Sequence, residues 1–249
     1  MNREFPVQWE GILVKSLPIY TQLADSIKQE LHGHIQVFLS EKEFVGCAGL
    51  AVTEKMRVII AAQACLLVLN RPSRSYSGLH YIYIYPSSFK VNRTVRDELG
   101  LVSEQSHHLL GESWDSGKVI LAWDQVAEGV RNFKDGHNVV LHEFAHQLDH
   151  ESGVTNGAPL LYTQGAYKQW AQVLAKEFES LQRLDPAQRS VIDQYGATNP
   201  AEFFAVATET FFEEPERMSR HHQELFDQLK AYYRIDPRDW SLVTESRDS

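Results

Sequence analysis

The segment VVLHEFAHQLDH, residues Val139–His150, places two histidines four positions apart, with an acidic residue directly after the first. Its apolar residues recur at the spacing of an amphipathic helix, so the segment is predicted to be helical. Asp135 or Asn138 is expected to cap the start of this helix, and Gly153 is expected to end it. Four residues of helix advance about 6 Å and return to within about 40° of the same direction. The two histidines therefore face the same side of the helix.

This spacing is typical of a catalytic zinc site. His142 and His146 lie close enough to share a metal ion, and Glu143 points about 100° away from His142. Glu143 can therefore reach a water molecule at the metal without acting as a ligand. The alternative interpretation is two partly exposed histidines on an amphipathic helix. Imidazoles on an otherwise apolar helix are costly to bury without partners, and metal coordination satisfies both, so the pattern favours zinc.

The first third of the chain is predicted to be helical. Leu23, Ile27 and Leu31 share one stripe of a helix that Gly33 is expected to end. The run VIIAAQACLLVL, residues 58–69, is predicted to be a buried helix, because twelve residues are too few to span a bilayer.

The middle of the chain predicts two short strands, and the remainder predicts helices. Residues 79–89 are rich in aromatic and β-branched side chains and are expected to form a strand that ends at Pro86, and residues 117–123 predict a second strand. Helices are expected around 163–183, 199–213 and 221–233, and the tail TESRDS is expected to be frayed. This order predicts an α+β fold with a small mixed sheet. We expect an N-terminal lobe at 1–110 and a catalytic lobe at 111–249, integrated into one domain.

Composition disfavours several classes of protein. The chain has 249 residues, a hydrophobic content of 43% and a formal net charge of −9, with no block of lysines or arginines. This balance disfavours binding to nucleic acid, and the length allows a large core. The start lacks a positive head followed by an apolar run, so no signal peptide is expected. No membrane span is expected either, because the most apolar run has only 12 residues. Cys47 and Cys65 form no metal or disulfide pattern, and we expect two buried free thiols in a cytoplasmic protein.

A catalytic zinc site needs a third protein ligand, because two histidines leave it incomplete. The extended metzincin pattern requires Gly and His where this chain has Asp149 and Ser152, so that pattern is excluded. One candidate, Glu202, has two roles that the sequence supports equally: a metal ligand, or a partner of Asn199 in capping the helix that follows. A carboxylate of a downstream helix is expected, and spacing alone leaves seven candidates: Glu177, Glu179, Asp193, Glu202, Glu209, Glu213 and Glu214.

Two segments carry a resemblance to a known family. HEFAHQLD and YGATNPAEFFA, the second beginning at Tyr195, resemble motifs of the Mlc titration factor A (MtfA) family of zinc peptidases. They are also similar to the catalytic domain of anthrax lethal factor, a gluzincin, but that likeness covers only these two segments. The resemblance to the MtfA family extends over most of the chain in size and element order. The N-terminal third does not match position by position.

The resemblance implies a zincin-like fold and a specific set of ligands. The family pattern places the metal-binding glutamate at Glu202 and a tyrosine seven positions earlier, at Tyr195. His142, His146 and Glu202 then hold one zinc ion per chain, with Glu143 and Tyr195 as catalytic residues. The resemblance also implies aminopeptidase-type hydrolysis of a peptide or protein, and binding of the transcriptional repressor Mlc, which controls sugar phosphotransferase uptake. The alternative function is a repressor-binding protein whose catalysis is weak or incidental.

Two residues and one strand have open roles at this stage. Asp149 either orients an imidazole from outside the ligand set or is a polar residue near the helix end. Glu209 either supports a ligand in the same way or lies on a solvated face. In a zincin-like fold a strand lies beside the cleft, and VILAW is the candidate whose exposed edge binds an extended peptide.

Overall fold

The computed structural model describes residues 4–71, 76–87, 90–96, 102–108, 117–161, 163–185 and 188–241. Its first part is helical, as the sequence predicts. This part consists of α1 (Val7–Ser16), α2 (Pro18–Gln22), α3 (Asp25–Glu41) and α4 (Glu54–Leu66).

Helix α3 continues through Gly33, so the predicted end of the helix at this glycine is wrong. Leu31 and Ile35, on either side of Gly33, are fully buried. Burying two large aliphatic side chains stabilises the helix by more than the roughly 1 kcal/mol that an interior glycine costs. Tertiary packing therefore overrides the local signal at this position.

Helix α4 confirms the predicted buried segment. Every residue from 58 to 69 is buried, and the helix itself ends at Leu66. The Thr53 hydroxyl accepts a hydrogen bond from the backbone N–H of Met56 and caps the start of the helix. Both cysteines are free thiols, but only Cys65 is buried, while Cys47 is partly exposed.

A three-stranded parallel sheet has the order β1–β2–β5, with β1 at Glu43–Gly46, β2 at Tyr81–Tyr85 and β5 at Lys118–Ala122. The strands β2 and β5 confirm the two predicted strands, whereas β1 was not predicted. Within the described part of the chain β5 pairs only with β2, so β5 forms one edge of this sheet.

A separate antiparallel pair consists of β3 (Lys90–Arg96) and β4 (Val102–His108), neither of which was predicted. The described strands therefore form two small sheets, one parallel and one antiparallel, instead of one mixed sheet. Together with the helices they confirm the α+β class.

The remaining helices follow β5 along the chain. The predicted helices at 163–183, 199–213 and 221–233 correspond to α7 (Gln164–Arg183), α8 (Pro200–Glu213) and α10 (Gln223–Tyr233). The bounds are α5 (Trp123–Arg131), α6 (Val139–His150), α7 (Gln164–Arg183), α8 (Pro200–Glu213), α9 (Pro215–His221), α10 (Gln223–Tyr233) and α11 (Arg238–Ser241), with a 3-10 helix at Gln194–Ala197 between α7 and α8.

Two sequence predictions fall outside the described residues. The boundary at 110 between the two lobes lies in the segment 109–116, and the tail TESRDS lies in the segment 242–249. The division into lobes therefore stays a prediction, although β2 and β5, which lie on either side of the boundary, pair in one sheet. Across the described ranges, no helix is both long and apolar enough to cross a lipid bilayer.

Helices α6 and α8 lie in the core and pack against each other. In α8 every residue from Ala201 to Glu213 is buried, and in α6 every residue from Val140 to Asp149 is buried. A helix buried on all sides must find partners inside the protein for its polar side chains. The polar residues that these two helices bring together form the candidate site.

Candidate metal centre

The histidine helix α6 is held firmly at its start. The Asn138 side-chain oxygen accepts hydrogen bonds from the backbone N–H groups of Val140 and Leu141, each at 3.1 Å, which confirms Asn138 as the cap. The Phe144 ring packs against the Tyr76 ring with 5.0 Å between centroids. These contacts fix the rotation of α6 about its axis, so that both ligand-type histidines face α8.

Helix α8 brings Glu202 to the same place. The Asn199 side-chain oxygen accepts a hydrogen bond from the backbone N–H of Glu202 at 3.0 Å, and Pro200 occupies the first turn. The capping role is therefore performed by the backbone of Glu202, while its carboxylate faces the imidazoles of α6. The two interpretations that the sequence left open concern different parts of one residue, and they are compatible.

Three side-chain atoms converge between the helices. Glu202 Oε2 lies 3.0 Å from His142 Nε2 and 3.5 Å from His146 Nε2, and the two Nε2 atoms are 3.2 Å apart. Three atoms bound to one ion at about 2.0–2.1 Å in tetrahedral directions lie about 3.3 Å from one another. The distances and the donor set of two imidazole nitrogens and one carboxylate oxygen therefore fit a zinc ion.

The other carboxylates that spacing left open are not part of this group. Among the described residues, His142, His146 and Glu202 form the group that could hold a metal ion. Five of the remaining six contact residues outside the group: Glu177 contacts His222, Glu179 contacts Arg183, Asp193 accepts from the backbone of Tyr195, Glu213 contacts Asn138, and Glu214 contacts Arg217. The sixth, Glu209, contacts His142 at Nδ1, the nitrogen that faces away from Glu202.

The electrostatics of the site favour a positive charge between the helices. Burial alone raises the pKa of Glu202, but hydrogen bonds from His142 and His146 outweigh burial and lower this pKa to about 2. Burial lowers the pKa of His146 to about 4, so this imidazole stays neutral near pH 7. Burial also acts to lower the pKa of His142, yet the nearby carboxylates raise it well above its usual value. A metal cation satisfies the same carboxylates when it takes the place of that proton.

Glu209 supports His142 from the side opposite to Glu202. The Nδ1 atom of His142 lies 2.7 Å from Glu209 Oε1, and Glu209 is only 6% exposed. The interpretation of Glu209 as part of a solvated face is therefore wrong. A carboxylate at Nδ1 keeps the proton on that nitrogen, which leaves the Nε2 lone pair directed at the metal position.

The two predicted catalytic residues differ in their exposure to solvent. Glu143 follows His142 on α6 and is 1% exposed. Tyr195 lies in the 3-10 helix, is 52% exposed, and has its ring centroid 6.1 Å from that of His142. Burial and the carboxylates of the site, including Glu202, raise the pKa of Tyr195 to about 12, so its phenol keeps its proton near neutral pH.

Asp149 holds the loop that follows α6. Its Oδ2 accepts a hydrogen bond from the backbone N–H of Gly157 at 2.6 Å. Gly157 has a φ of +78°, and a Cβ atom at this position would lie 2.3 Å from the carbonyl oxygen of Pro200. The loop therefore presses directly against the first turn of α8, two residues before Glu202. Sequence analysis did not predict this contact, because it joins segments that are distant along the chain.

Comparison with known proteins adds independent information on the family. A model of the family described as glucose-regulated metallo-peptidase M90 matches residues 1–234. This chain belongs to that metallopeptidase family. It is 33% identical to Mlc titration factor A of Klebsiella pneumoniae over 240 residues, which cover 95% of this chain and 88% of that protein. It is 31% identical to Mlc titration factor A of Pectobacterium atrosepticum over 233 residues, covering 92% and 86% of the two chains.

A further relative does not carry that name. An uncharacterized protein of Synechocystis is 43% identical over 238 residues, which cover 95% of this chain and 86% of that protein. These matches confirm the resemblance to the MtfA family inferred from the two motifs. In this chain, the two motifs are also the segments that supply the grouped His142, His146 and Glu202.

Proposed function

We propose that this chain is a zinc-dependent peptidase that hydrolyses peptide bonds, with His142, His146 and Glu202 as the protein ligands of one zinc ion. The observation that supports this proposal is the spacing of the three ligand atoms, 3.0, 3.2 and 3.5 Å apart. Membership in a metallopeptidase family supports the same reaction class. A set of three protein ligands is typical of catalytic zinc, whereas structural zinc is held by four.

A zinc ion in such a site supplies Lewis acidity, which polarises a carbonyl oxygen and lowers the pKa of water towards neutrality. Glu143 is the general base in this proposal: it takes a proton from the attacking water and passes it to the leaving amine. Tyr195 donates a hydrogen bond from its phenol to the oxygen on which negative charge develops. Its raised pKa of about 12 supports this role, because only the protonated phenol can donate.

The substrate in this proposal is an extended peptide bound along β5. Among the described strands β5 pairs only with β2 and so lies at one edge of the parallel sheet, and it contacts α6; both observations support this placement. Backbone hydrogen bonds to a strand edge orient a peptide independently of its sequence. The resemblance to the MtfA family favours aminopeptidase-type cleavage. Peptides with a free amino terminus and matched peptides with an acetylated amino terminus distinguish this from internal cleavage.

The test uses the purified full chain. We expect one zinc per chain by elemental analysis and hydrolysis of a chromogenic amino-acid or peptide amide. The Glu143→Gln variant should retain the zinc and lose hydrolysis, because an amide cannot accept the proton. The Glu202→Ala variant should lose both. A wild-type protein that carries no zinc and cleaves no peptide after zinc is added overturns the proposal.

A second candidate function is binding of a transcriptional repressor. Relatives of 31% and 33% identity carry the name Mlc titration factor A, which favours an Mlc-like repressor as a protein partner in the cytoplasm. Because Glu143→Gln should keep the metal site intact, this variant separates binding from catalysis. Capture of purified repressor by both wild type and Glu143→Gln supports the second function, and failure of both to bind the repressor rejects it.

A further inference from the structure

A buried polar network lies behind the proposed metal centre. Asn138 donates from its side-chain nitrogen to Gln63 Oε1 at 2.8 Å and to Glu213 Oε1 at 2.9 Å. Its backbone N–H donates to Glu209 Oε2, and the other oxygen of Glu209 contacts His142 Nδ1. Asn138 is 2% exposed, Gln63 is 0% exposed and Glu213 is 5% exposed. The network therefore links α4, α6 and α8 in the buried interior of the protein.

Asn138 uses its full hydrogen-bonding capacity in this network. Its side-chain oxygen caps α6, and both hydrogens of its amide have separate acceptors on α4 and α8. A helix cap requires only the oxygen, so capping does not explain the two amide contacts. Serine or aspartate would serve as a cap at this position, but neither side chain carries an amide donor for Gln63 and Glu213.

Glu209 transmits the position of Asn138 to the histidine. One carboxylate oxygen accepts from the backbone at the start of α6, and the other contacts the His142 ring. The orientation of this ring therefore depends on the distance between the first turn of α6 and the middle of α8. The Asn138 amide sets that distance, because it ties the start of α6 to Glu213, one turn beyond Glu209 on α8.

We propose that Asn138 is a positioning residue of the metal centre, which acts through Glu213 and Glu209 to aim His142 Nε2 at the metal. This inference rests on the proposed function, because it presumes that His142 is a ligand. Outer-shell partners of metal-bound histidines fix the orientation of the ring and typically contribute 10–100-fold to metal affinity. Asn138 stands one step further from the metal, so the expected contribution is about tenfold.

The test compares Asn138→Ser, which keeps a capping oxygen, with Glu213→Leu, which removes the acceptor on α8. Zinc affinity is measured by competition with a chelator, and the ligand field is measured from the visible spectrum of the Co²⁺-loaded protein. We expect each variant to bind zinc about tenfold more weakly and to alter the Co²⁺ spectrum. Because both act through one hydrogen bond, the double variant should lose less than the product of the two single losses. Glu213→Gln, which retains a side-chain acceptor, should recover most of the affinity.

A control separates positioning from general destabilisation. Thr163→Ala removes the cap of α7, where the Thr163 hydroxyl accepts from Ala166, and should lower the melting temperature without changing zinc affinity. If Asn138→Ser does not fold, the comparison of Glu213→Leu with Glu213→Gln tests the same hydrogen bond.

The outcomes distinguish this inference from the proposed function. A wild-type chain that binds no zinc overturns the proposed function. If the wild type binds zinc, and Asn138→Ser has the same zinc affinity and the same Co²⁺ spectrum, only the positioning role is overturned. A double variant whose loss equals the product of the single losses also overturns it.

Discussion

Replacing Gly157 by alanine should destabilise the protein and weaken metal binding together. Gly157 has a φ of +78°, and the added Cβ would lie 2.3 Å from the carbonyl oxygen of Pro200 and 2.8 Å from its carbonyl carbon. A left-handed conformation costs a residue with a Cβ roughly 1–2 kcal/mol. A clash with backbone atoms that cannot move aside adds about 1–3 kcal/mol. The expected loss in the free energy of unfolding is therefore about 2–5 kcal/mol.

Gly153 offers a matched control in the same loop. Its φ is +91°, but a Cβ atom there would have no neighbour within 4 Å. The Gly153→Ala variant should therefore lose only the about 1–2 kcal/mol of unfolding free energy that the left-handed conformation costs, because no atom clashes with its Cβ. Zinc affinity should fall only in Gly157→Ala, because the start of α8 must shift and Glu202 lies two residues after Pro200.

The assay is urea unfolding of the metal-free proteins, followed by tryptophan fluorescence and by circular dichroism, with zinc affinity measured by chelator competition. Metal-free protein is used because bound zinc would add its own stabilisation. The reasoning is refuted if Gly157→Ala and Gly153→Ala lose the same free energy of unfolding to within about 0.5 kcal/mol. That difference is no larger than the scatter of ordinary surface substitutions. It is also refuted if Gly157→Ala binds zinc as tightly as wild type.

Three further predictions test individual side chains. Glu209→Gln should weaken zinc binding roughly 10–100-fold, because an amide has one acceptor oxygen for the two donors, Asn138 N–H and His142 Nδ1. The control Glu216→Gln, at an exposed position, should bind zinc as tightly as wild type. Equal zinc affinities of the two variants would contradict this prediction. Tyr195→Phe should lower kcat roughly hundredfold with unchanged zinc content and KM, and a fall in zinc content instead would reject its role as a donor. Burial, reinforced by Asp135 and Glu209, raises the pKa of Glu213 from 4.5 to about 8. The folded state therefore binds the Glu213 proton more tightly than the unfolded state does. The stability that protonated Glu213 contributes is complete below about pH 4.5 and is lost as the pH rises through 8. Unfolding measured from pH 5 to 9 should show this decline in wild type and a weaker one in Glu213→Gln, and identical slopes would contradict it.

Local patterns predicted much of the secondary structure and the two histidines of the candidate site. The helix at Val139–His150 was predicted and its cap was narrowed to Asp135 or Asn138, because helical periodicity and capping depend on residues within a few positions of one another. The end of α3 at Gly33 was predicted wrongly, because buried packing on either side outweighs the glycine. Strand β1 was missed because four residues at Glu43–Gly46 carry no clear alternation, and their extended form depends on pairing with β2.

The sequence by itself determined that His142 and His146 share one face of a helix with Glu143 beside them, because this follows from the geometry of a single turn. Motif resemblance pointed to Glu202, yet the residues alone left seven carboxylates open. Only the tertiary structure decided which of them meets the imidazoles and that Glu209 lies behind His142. These contacts join residues about sixty positions apart, and their geometry depends on how two fully buried helices pack. That packing is a property of the whole core, so no short stretch of sequence contains it.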